Sequence, residues 1–416
     1  MINSYQEHKR FLIMNIVNHL GSVSRTELAA LSGYQLSNIG KLTKQLIEED
    51  VLVETGSYSS GYGRKRILLE LNKQHLCAIS VSFSSTAVTF TVAQMGGEIL
   101  CAKHIGFSQN LSETSLWLSI RQTVHELLDT YRDRNIIGIG ICTPSNDPGS
   151  YPIAVLDSKY PRLVYWIRQV LLPKLSQEVS VPVHLFYDVT LAILAEQSFG
   201  LAKGVDDFIC VELSNGLSCS ICCNGKPVSG TTGIAGELGH TIIDLEHQTD
   251  ALCYCGKFGC VEAIVSLPKL RRNIFEASKH NMNRKLSKVY ASSDGISVED
   301  IRAAIEADDL ICKHYVKQAA HLLGIAISNA VTLLNPKLVI LFGQMLELGD
   351  YFYEHLKTTI QENVVNRQSF EIAVSSQLEE LLPLGAISAL FSLYLKKDDF
   401  NWVYQLPTGS DETASE

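Results

Sequence analysis

"ALCYCGKFGCVEA" occupies Ala251–Ala263. Three cysteines, Cys253, Cys255 and Cys260, fall within eight positions, with Gly256 and Gly259 among them. Three readings of such a cluster compete. Buried cysteines behave as small hydrophobes. That suits Cys77, Cys101, Cys142, Cys210, Cys219 and Cys222, which sit in strand-like apolar runs, and extends to Cys223 and Cys312. The clustered cysteines do not fit it, because Tyr254, Lys257 and the glycines mark a loop. A redox pair is the second reading, but C-x-C is not C-x-x-C and no thioredoxin-like βαβ pattern surrounds it. Metal is the third. Zinc takes four nitrogen or sulfur ligands in a tetrahedron, and structural sites are closed. Upstream, "GIAGELGH" (Gly233–His240) supplies a fourth donor, His240. A His-Cys-Cys-Cys structural zinc set is the reading these residues favour.

The surrounding sequence alternates strands with helices, which argues an α/β body. Strands are expected in "LCAISVSFSSTAVTFTVAQMGGEIL" (two, around a polar turn), "IIGIGICTP", "VPVHLFYDV", "DDFICVELSNGLSCSICCNGKPV" (a pair) and "KLVILFG". "TLAILAEQSFG" and the long stretch from Glu299 to Pro336 read as helices. Gly138 and Gly140 make half a dinucleotide fingerprint, better read as a strand end. No short repeat is visible, and only the polar tail reads as disordered.

The N-terminal segment has a different grammar. Phe11, Ile13, Met14, Ile16, Val17 and Leu20 recur at helical spacing. Ser24 and Glu27 form a capping box that opens a short second helix with Leu28 and Leu31 inward. A third helix carries Ile39, Leu42, Leu46 and Ile47 on one stripe, with Ser37, Asn38, Lys41, Lys44 and Gln45 off it. Two strands follow, with Val51 and Val53, then Ile67, Leu69 and Leu71, facing inward around the loop "SSGYGRKR". This is the order of a winged helix-turn-helix. Ser37, Asn38 and Lys41 would meet bases or backbone in the major groove, Asn38 with adenine. Arg64 and Arg66 on the wing would grip phosphate or a minor groove. The alternative is a three-helix packing module with a solvated basic loop.

Charge is uneven in the same sense. Residues 1–75 hold nine Lys/Arg and seven Asp/Glu, while the rest holds 26 against 37. A polyanion partner is therefore expected of the head alone. The 416 residues suit two or three domains. There is no bilayer-length apolar run and no signal-peptide pattern, so cytoplasmic location and reduced cysteines are expected.

The motifs "GIAGELGH" and "CYCGKFGCVE" together resemble the signature of the ROK family of repressors, sugar kinases and unassigned frames. "LLNPKLVILFG" is similar to the family's late N-P-x-x-V-V-x-G strand, and the head resembles the winged helix of its repressor branch, that of the glucose, N-acetylglucosamine and xylose repressors. The resemblance implies an actin-like, ribonuclease-H-like body of two lobes. It gives the division 1–72 winged helix-turn-helix, 73–195 first lobe, 196–400 second lobe with the zinc motif, and 401–416 tail, the last helix being free to return to the first lobe. It implies a zinc site of His240, Cys253, Cys255 and Cys260, and sugar-binding roles for Asp188, Glu237, His240 and Glu262. Asp188 matches the position of the family's catalytic base.

The departures from the family pattern lie on the phosphate side. Where family kinases carry D-x-G-x-T, this chain has "SVSFSST", with Ser82 at the Asp position and Ser84 at the Gly position. The G-x-G-x-G loop is "LSNGLSC", keeping only Gly216, and Gln344 follows Gly343. Tyr187 and Thr190 replace two asparagines on the sugar side. The expectation is therefore a sugar-responsive regulator without enzyme activity, a member of the repressor branch acting as a homodimer or dimer of dimers on double-stranded operator DNA, with a sugar or sugar phosphate as effector. An active sugar kinase with an appended head and a regulator controlled by a sugar-transport protein are the alternatives.

Overall fold

A computed structural model describes residues 2–58, 66–83, 87–106, 112–143, 159–231, 233–244, 251–279, 292–365, 370–375 and 378–395. Arg64, Ser84 and the tail 401–416 lie outside the described residues. The chain divides into two compact units: Met1–Thr143 with Trp166–Phe186 and Ala386–Glu416, and Pro144–Tyr165 with Tyr187–Gly385.

The head opens the first unit. Helix α1 (Ile2–Leu20) is followed by β1 (Val23–Ser24), α2 (Arg25–Ser32), α3 (Leu36–Glu48), β2 (Leu52–Tyr58) and β3 (Arg66–Leu71). The three strands pair in the order β1-β3-β2. The capping box at α2 is present, with the Ser24 N–H donating to Glu27 Oε2 at 2.8 Å. Ile13, Met14, Val17, Leu28, Ile39, Leu46 and Leu69 form a fully buried core. Three expectations fail here: at Leu31, at Val53 and at Ile67 of β3, which is 43 % exposed. Leu31 is 60 % exposed; it stands in the last turn of α2, just before the C-cap at Gly33. Val53 is at the surface while Leu52 is buried. The chain reverses at Asp50, whose φ is 55°, and the Val51 N–H still donates to Leu46 at the end of α3. The strand therefore starts one residue later, and its faces exchange.

The first unit also holds the sheet β6-β5-β4-β7-β8, from β4 (Leu76–Phe83), β5 (Ala87–Gln94), β6 (Ile99–Gly106), β7 (Asn135–Thr143) and β8 (Val183–Tyr187). Strand β6 goes beyond the two strands expected there. It is an edge strand with little burial, so it lacks the apolar run that marks an interior strand. Helix α4 (Glu113–Thr130) precedes β7, and α5 (Lys159–Trp166) leads through a π turn at Ile167–Leu171 into α6 (Leu172–Glu178).

The second unit begins with α7 (Asp188–Ser198), followed by β9 (Phe208–Leu213), β10 (Leu217–Cys223) and β11 (Lys226–Pro227). Helices α8 (Val261–Val265), α9 (Leu267–Lys279), α10 (Val298–Glu306) and α11 (Leu310–Leu334) precede β12 (Leu338–Phe342), α12 (Asp350–Asn363) and β13 (Glu371–Val374). The sheet order is β11-β10-β9-β12-β13. An antiparallel meander followed by parallel strands occurs in both sheets. The repeat lies in the topology, not in the residues.

Both faces of this second sheet are covered. Ile209, Val211, Leu213, Val339 and Leu341 face one core, and Phe208, Cys210, Leu338, Ile340 and Phe342 face another. A strand buried on both sides reads as a continuous apolar run, which explains "FICVEL" and "LVILF". Cys210 and Cys219 sit in these cores as small apolar fillers, and burial pushes the Cys219 thiol up to about 12. Cys223, by contrast, is exposed at the end of β10. The last helix, α13 (Leu378–Tyr394), has residues in both units. No described helix is long and apolar enough to cross a membrane.

Candidate functional site

The second unit brings His240, Cys253, Cys255 and Cys260 together, with their donor atoms all within 4.8 Å of one another. A small knuckle holds them. Ile242 pairs with Cys260 and Leu252 with Phe258 as antiparallel bridges. The Cys253 N–H donates to the Lys257 carbonyl at 2.8 Å, and the Val261 N–H to Thr241 at 3.0 Å. His240 ends a 3₁₀ turn at Leu238–His240. Ahead of it, Gly236 has φ 88° and its backbone lies against Cys219, where a Cβ would stand 1.7 Å from the carbonyl oxygen. Only glycine fits there, which accounts for the first residue of G-E-x-G-H.

The spacing suits a tetrahedral ion. Ligands at about 2.0–2.3 Å around zinc stand about 3.3–3.8 Å apart. Cys255 and Cys260 have Sγ atoms 3.6 Å apart, and Cys253 Sγ lies 3.5 Å from His240 Nδ1. Burial pushes the Cys253 and Cys260 thiols up; a cation at their centre would act in the opposite sense and hold thiolates. Burial also holds the His240 ring below its ordinary value, which keeps the neutral imidazole that can act as a ligand.

His240 has two differently engaged nitrogens. Nδ1 faces Cys253, while Nε2 lies 2.9 Å from the Tyr254 hydroxyl and 3.6 Å from Glu237 Oε2. Glu262, at the head of α8, is 9 % exposed. Its Oε2 accepts the Leu217 N–H at 2.8 Å. Burial pushes its carboxyl up, opposed by the hydrogen bonds from Leu217 and the Tyr254 side chain. Tyr254 thus touches both His240 and Glu262. In the sequence Tyr254 marks only a loop; its place between Cys253 and Cys255 is the one signal of this role.

Glu237 lines a pocket with Tyr187, Thr190, Ile193, Ser220 and Ser229. Its volume is about 20 Å³, the room of one water molecule. Tyr187 helps to fill it. Asp188 starts α7 between Tyr187 and Thr190 and is half-buried. The pocket therefore joins Glu237 to the neighbours of Asp188; His240, 3.6 Å from Glu237, and Glu262 are not among its lining residues.

The groups at the phosphate-type positions are engaged inward. Ser82 Oγ is buried in β4, in register with Thr89 and Cys142. In the "LSNGLSC" turn, the Leu217 N–H is bonded to Glu262, and the Ser214 hydroxyl accepts the Gln344 N–H at 3.2 Å.

In the head, Ser37, Asn38 and Lys41 are exposed on α3, along with Lys44 and Gln45. Arg66 begins β3 opposite Tyr58 and is half-buried.

Comparison with known proteins agrees with this architecture. The ROK family profile matches residues 78–388. The chain is 26 % identical over 393 residues to a xylose repressor of Caldicellulosiruptor bescii, covering 92 % of this chain and 95 % of that one. Among solved structures it is similar to a ROK family transcriptional regulator, a homologue of the Escherichia coli MLC protein, with a TM-score of 0.72, 22 % identity, and 95 % and 100 % of the two chains covered. It is also similar to a ROK hexokinase from Thermus thermophilus, with a TM-score of 0.60 and 21 % identity, over 77 % of this chain and all of that one. The likeness to the regulator takes in the head, and the likeness to the hexokinase is confined to a share of the chain the size of the body. From Ala78 to Ser388 the motifs, the paired sheets and the profile agree, and the chain belongs to the ROK family.

Proposed function

We propose that this protein is a sugar-responsive repressor of transcription whose body senses a sugar without phosphorylating it. One observation carries the reading: Glu237 and His240 stand together beside a polar pocket, which has to widen from the room of one water to admit a sugar, while the phosphate-type positions hold Ser82 and Ser214 turned into the protein. A hydroxyl both donates and accepts, so carboxylates such as Glu237 and Asp188 suit sugar recognition. Phosphoryl transfer depends on positioning and charge neutralisation around phosphate, and here the backbone N–H groups of Leu217 and Gln344 are already bonded within the chain.

Zinc is the metal whose donor preferences fit the cluster, with Cys253, Cys255, Cys260 and His240 Nδ1 as ligands and a structural role. The second nitrogen of His240 then faces Glu237 and Tyr254, and so orients them toward the sugar. Residues 1–72 form the winged helix-turn-helix, with Ser37, Asn38 and Lys41 on the recognition helix and Arg64 and Arg66 on the wing. A twofold dimer would set two heads on a pseudo-palindromic operator. Control by a sugar-transport protein is the competing mode, told apart by operator release without any sugar.

The test is recovery of genomic DNA on the purified full chain, followed by competition with D-xylose, D-glucose and N-acetyl-D-glucosamine. Specific recovery that a sugar reverses is the expected result. Absence of specific DNA, or persistence of recovery after deletion of residues 1–72, overturns it.

A further inference from the structure

Tyr254 stands between Cys253 and Cys255 and is 44 % exposed. Its ring meets the His240 ring edge-on, with centroids 5.0 Å apart and planes at 80°. Its hydroxyl lies 2.9 Å from His240 Nε2 and is hydrogen-bonded to the Glu262 carboxylate. Glu237 Oε2 is 3.6 Å from the same ring nitrogen. A single hydroxyl of the protein thus takes up a ring nitrogen and a carboxylate at once, one contact away from Glu237.

The protons in this arrangement follow from the chemistry of the groups. A carboxylate only accepts, so the Tyr254 O–H donates to Glu262, and its oxygen accepts from the N–H at His240 Nε2. The neutral ring then carries its lone pair on Nδ1, the nitrogen 3.5 Å from Cys253 Sγ, where a metal ligand needs it. The Tyr254 oxygen donates once and accepts once, as the hydroxyl of a sugar would between the same two groups.

Packing does not account for the side chain. The core of the second unit takes in Leu238, Val261 and Ile264 on either side of the knuckle but not Tyr254. The knuckle backbone closes without it, because the Cys253 N–H donates to the Lys257 carbonyl at 2.8 Å and the Gly256 N–H to the Cys253 carbonyl at 2.9 Å. Rotation of the Tyr254 side chain into solvent would break none of these bonds. Holding an exposed tyrosine in one rotamer costs side-chain entropy, and here its two polar contacts offset that cost.

We propose that the Tyr254 hydroxyl is a built-in stand-in for a ligand hydroxyl: without ligand it occupies His240 Nε2 and Glu262, and a bound sugar displaces it with a hydroxyl that likewise donates and accepts. This deepens the sensor reading above and rests on it. Tyr254 is then a specificity-determining residue, since a sugar gains only the difference between its own hydrogen bonds and those it displaces. Withdrawal of the ring frees His240 Nε2 and Glu262 together, beside a Glu237 pocket that by itself has the room of one water.

The test is calorimetric titration of the full chain with D-xylose, D-glucose and N-acetyl-D-glucosamine, for wild type, Tyr254→Phe and Tyr254→Ala. Tyr254→Phe keeps the ring and deletes only the competing hydroxyl, so affinity for a sugar should rise about 10-fold, the effect of one hydrogen bond to a charged group. Tyr254→Ala should gain as well, and a thermal midpoint equal to that of wild type certifies each variant before it is scored. The sign of the change separates the roles, because a tyrosine that only supported the knuckle would lower affinity when cut back. A gain in either variant, or binding by a variant where wild type shows none, supports the inference. Unchanged or weaker binding in both variants overturns it and leaves the sensor reading standing. If neither wild type nor variants bind any of the three sugars, the sensor reading fails and the inference falls with it.

Discussion

The sugar-type and phosphate-type regions of this body contrast in what their polar groups do. Glu237 and His240 lie on a turn beside a pocket, and Tyr254 links His240 to Glu262. Ser82 and Ser214 are turned into strands and turns, where they serve the protein's own backbone or have no partner. A kinase needs both regions, because positioning the hydroxyl gives no transfer unless the phosphate is cradled. A sensor needs only the first, since a ligand shifts a conformational equilibrium while it stays bound. On the function proposed above, a fold of kinase type keeps recognition of the sugar without the phosphoryl transfer.

The largest effect that would break this comparison is at the proposed metal centre of His240, Cys253, Cys255 and Cys260. Cys255→Ser should remove the metal and loosen the knuckle that holds Glu237 and Tyr254. Metal bound by such a cluster contributes folding energy, so with zinc in place in the wild type, the variant's second unit should melt on the order of 10 °C lower, at about 2–4 °C per kcal/mol. Elemental analysis and calorimetry check it; a variant that keeps stoichiometric zinc would remove the cluster from the account. Next in size, Glu237→Ala should weaken sugar affinity by roughly 10–100-fold, the loss of a charged hydrogen bond of about 1.5–3 kcal/mol. Operator affinity in the absence of sugar should be unchanged. An equal fall in both would point to misfolding of the turn rather than loss of recognition.

Smaller effects sharpen the role of the head. Asn38→Ala should relax preference at one base position by about 1–3 kcal/mol, read by binding to operators varied at each position. Arg66→Ala should weaken all sequences alike and reduce the salt slope by about one. If Asn38→Ala behaves as Arg66→Ala does, α3 touches only the backbone.

Much of this was legible in sequence because the signals were local. Ser24 and Glu27 sit one turn apart and cap α2 as expected. His240 and the three cysteines lie within 21 residues and carry a ligand chemistry of their own. The α/β alternation followed from apolar runs such as "FICVEL". What escaped depended on distant or irregular contacts. Strand β6 is an edge and has no apolar signature. The left-handed turn at Asp50 moved the faces of β2 by one residue. Tyr254 gained its role only when the knuckle set it between His240 and Glu262. Gly138 and Gly140 were readable as a strand end, but their reason is Leu390 and Ala386, which pack against them from some 250 residues away in the chain.

The central claim is that the body binds sugar and does not phosphorylate it. The most direct measurement pairs calorimetric titration of the full chain with a coupled ATP-turnover assay, on the same D-xylose, D-glucose and N-acetyl-D-glucosamine. The account predicts saturable binding of a sugar, weakened by roughly 10–100-fold in Glu237→Ala, with no sugar-dependent turnover. Turnover near the roughly 1–100 s⁻¹ typical of kinases would contradict it and make the protein an enzyme.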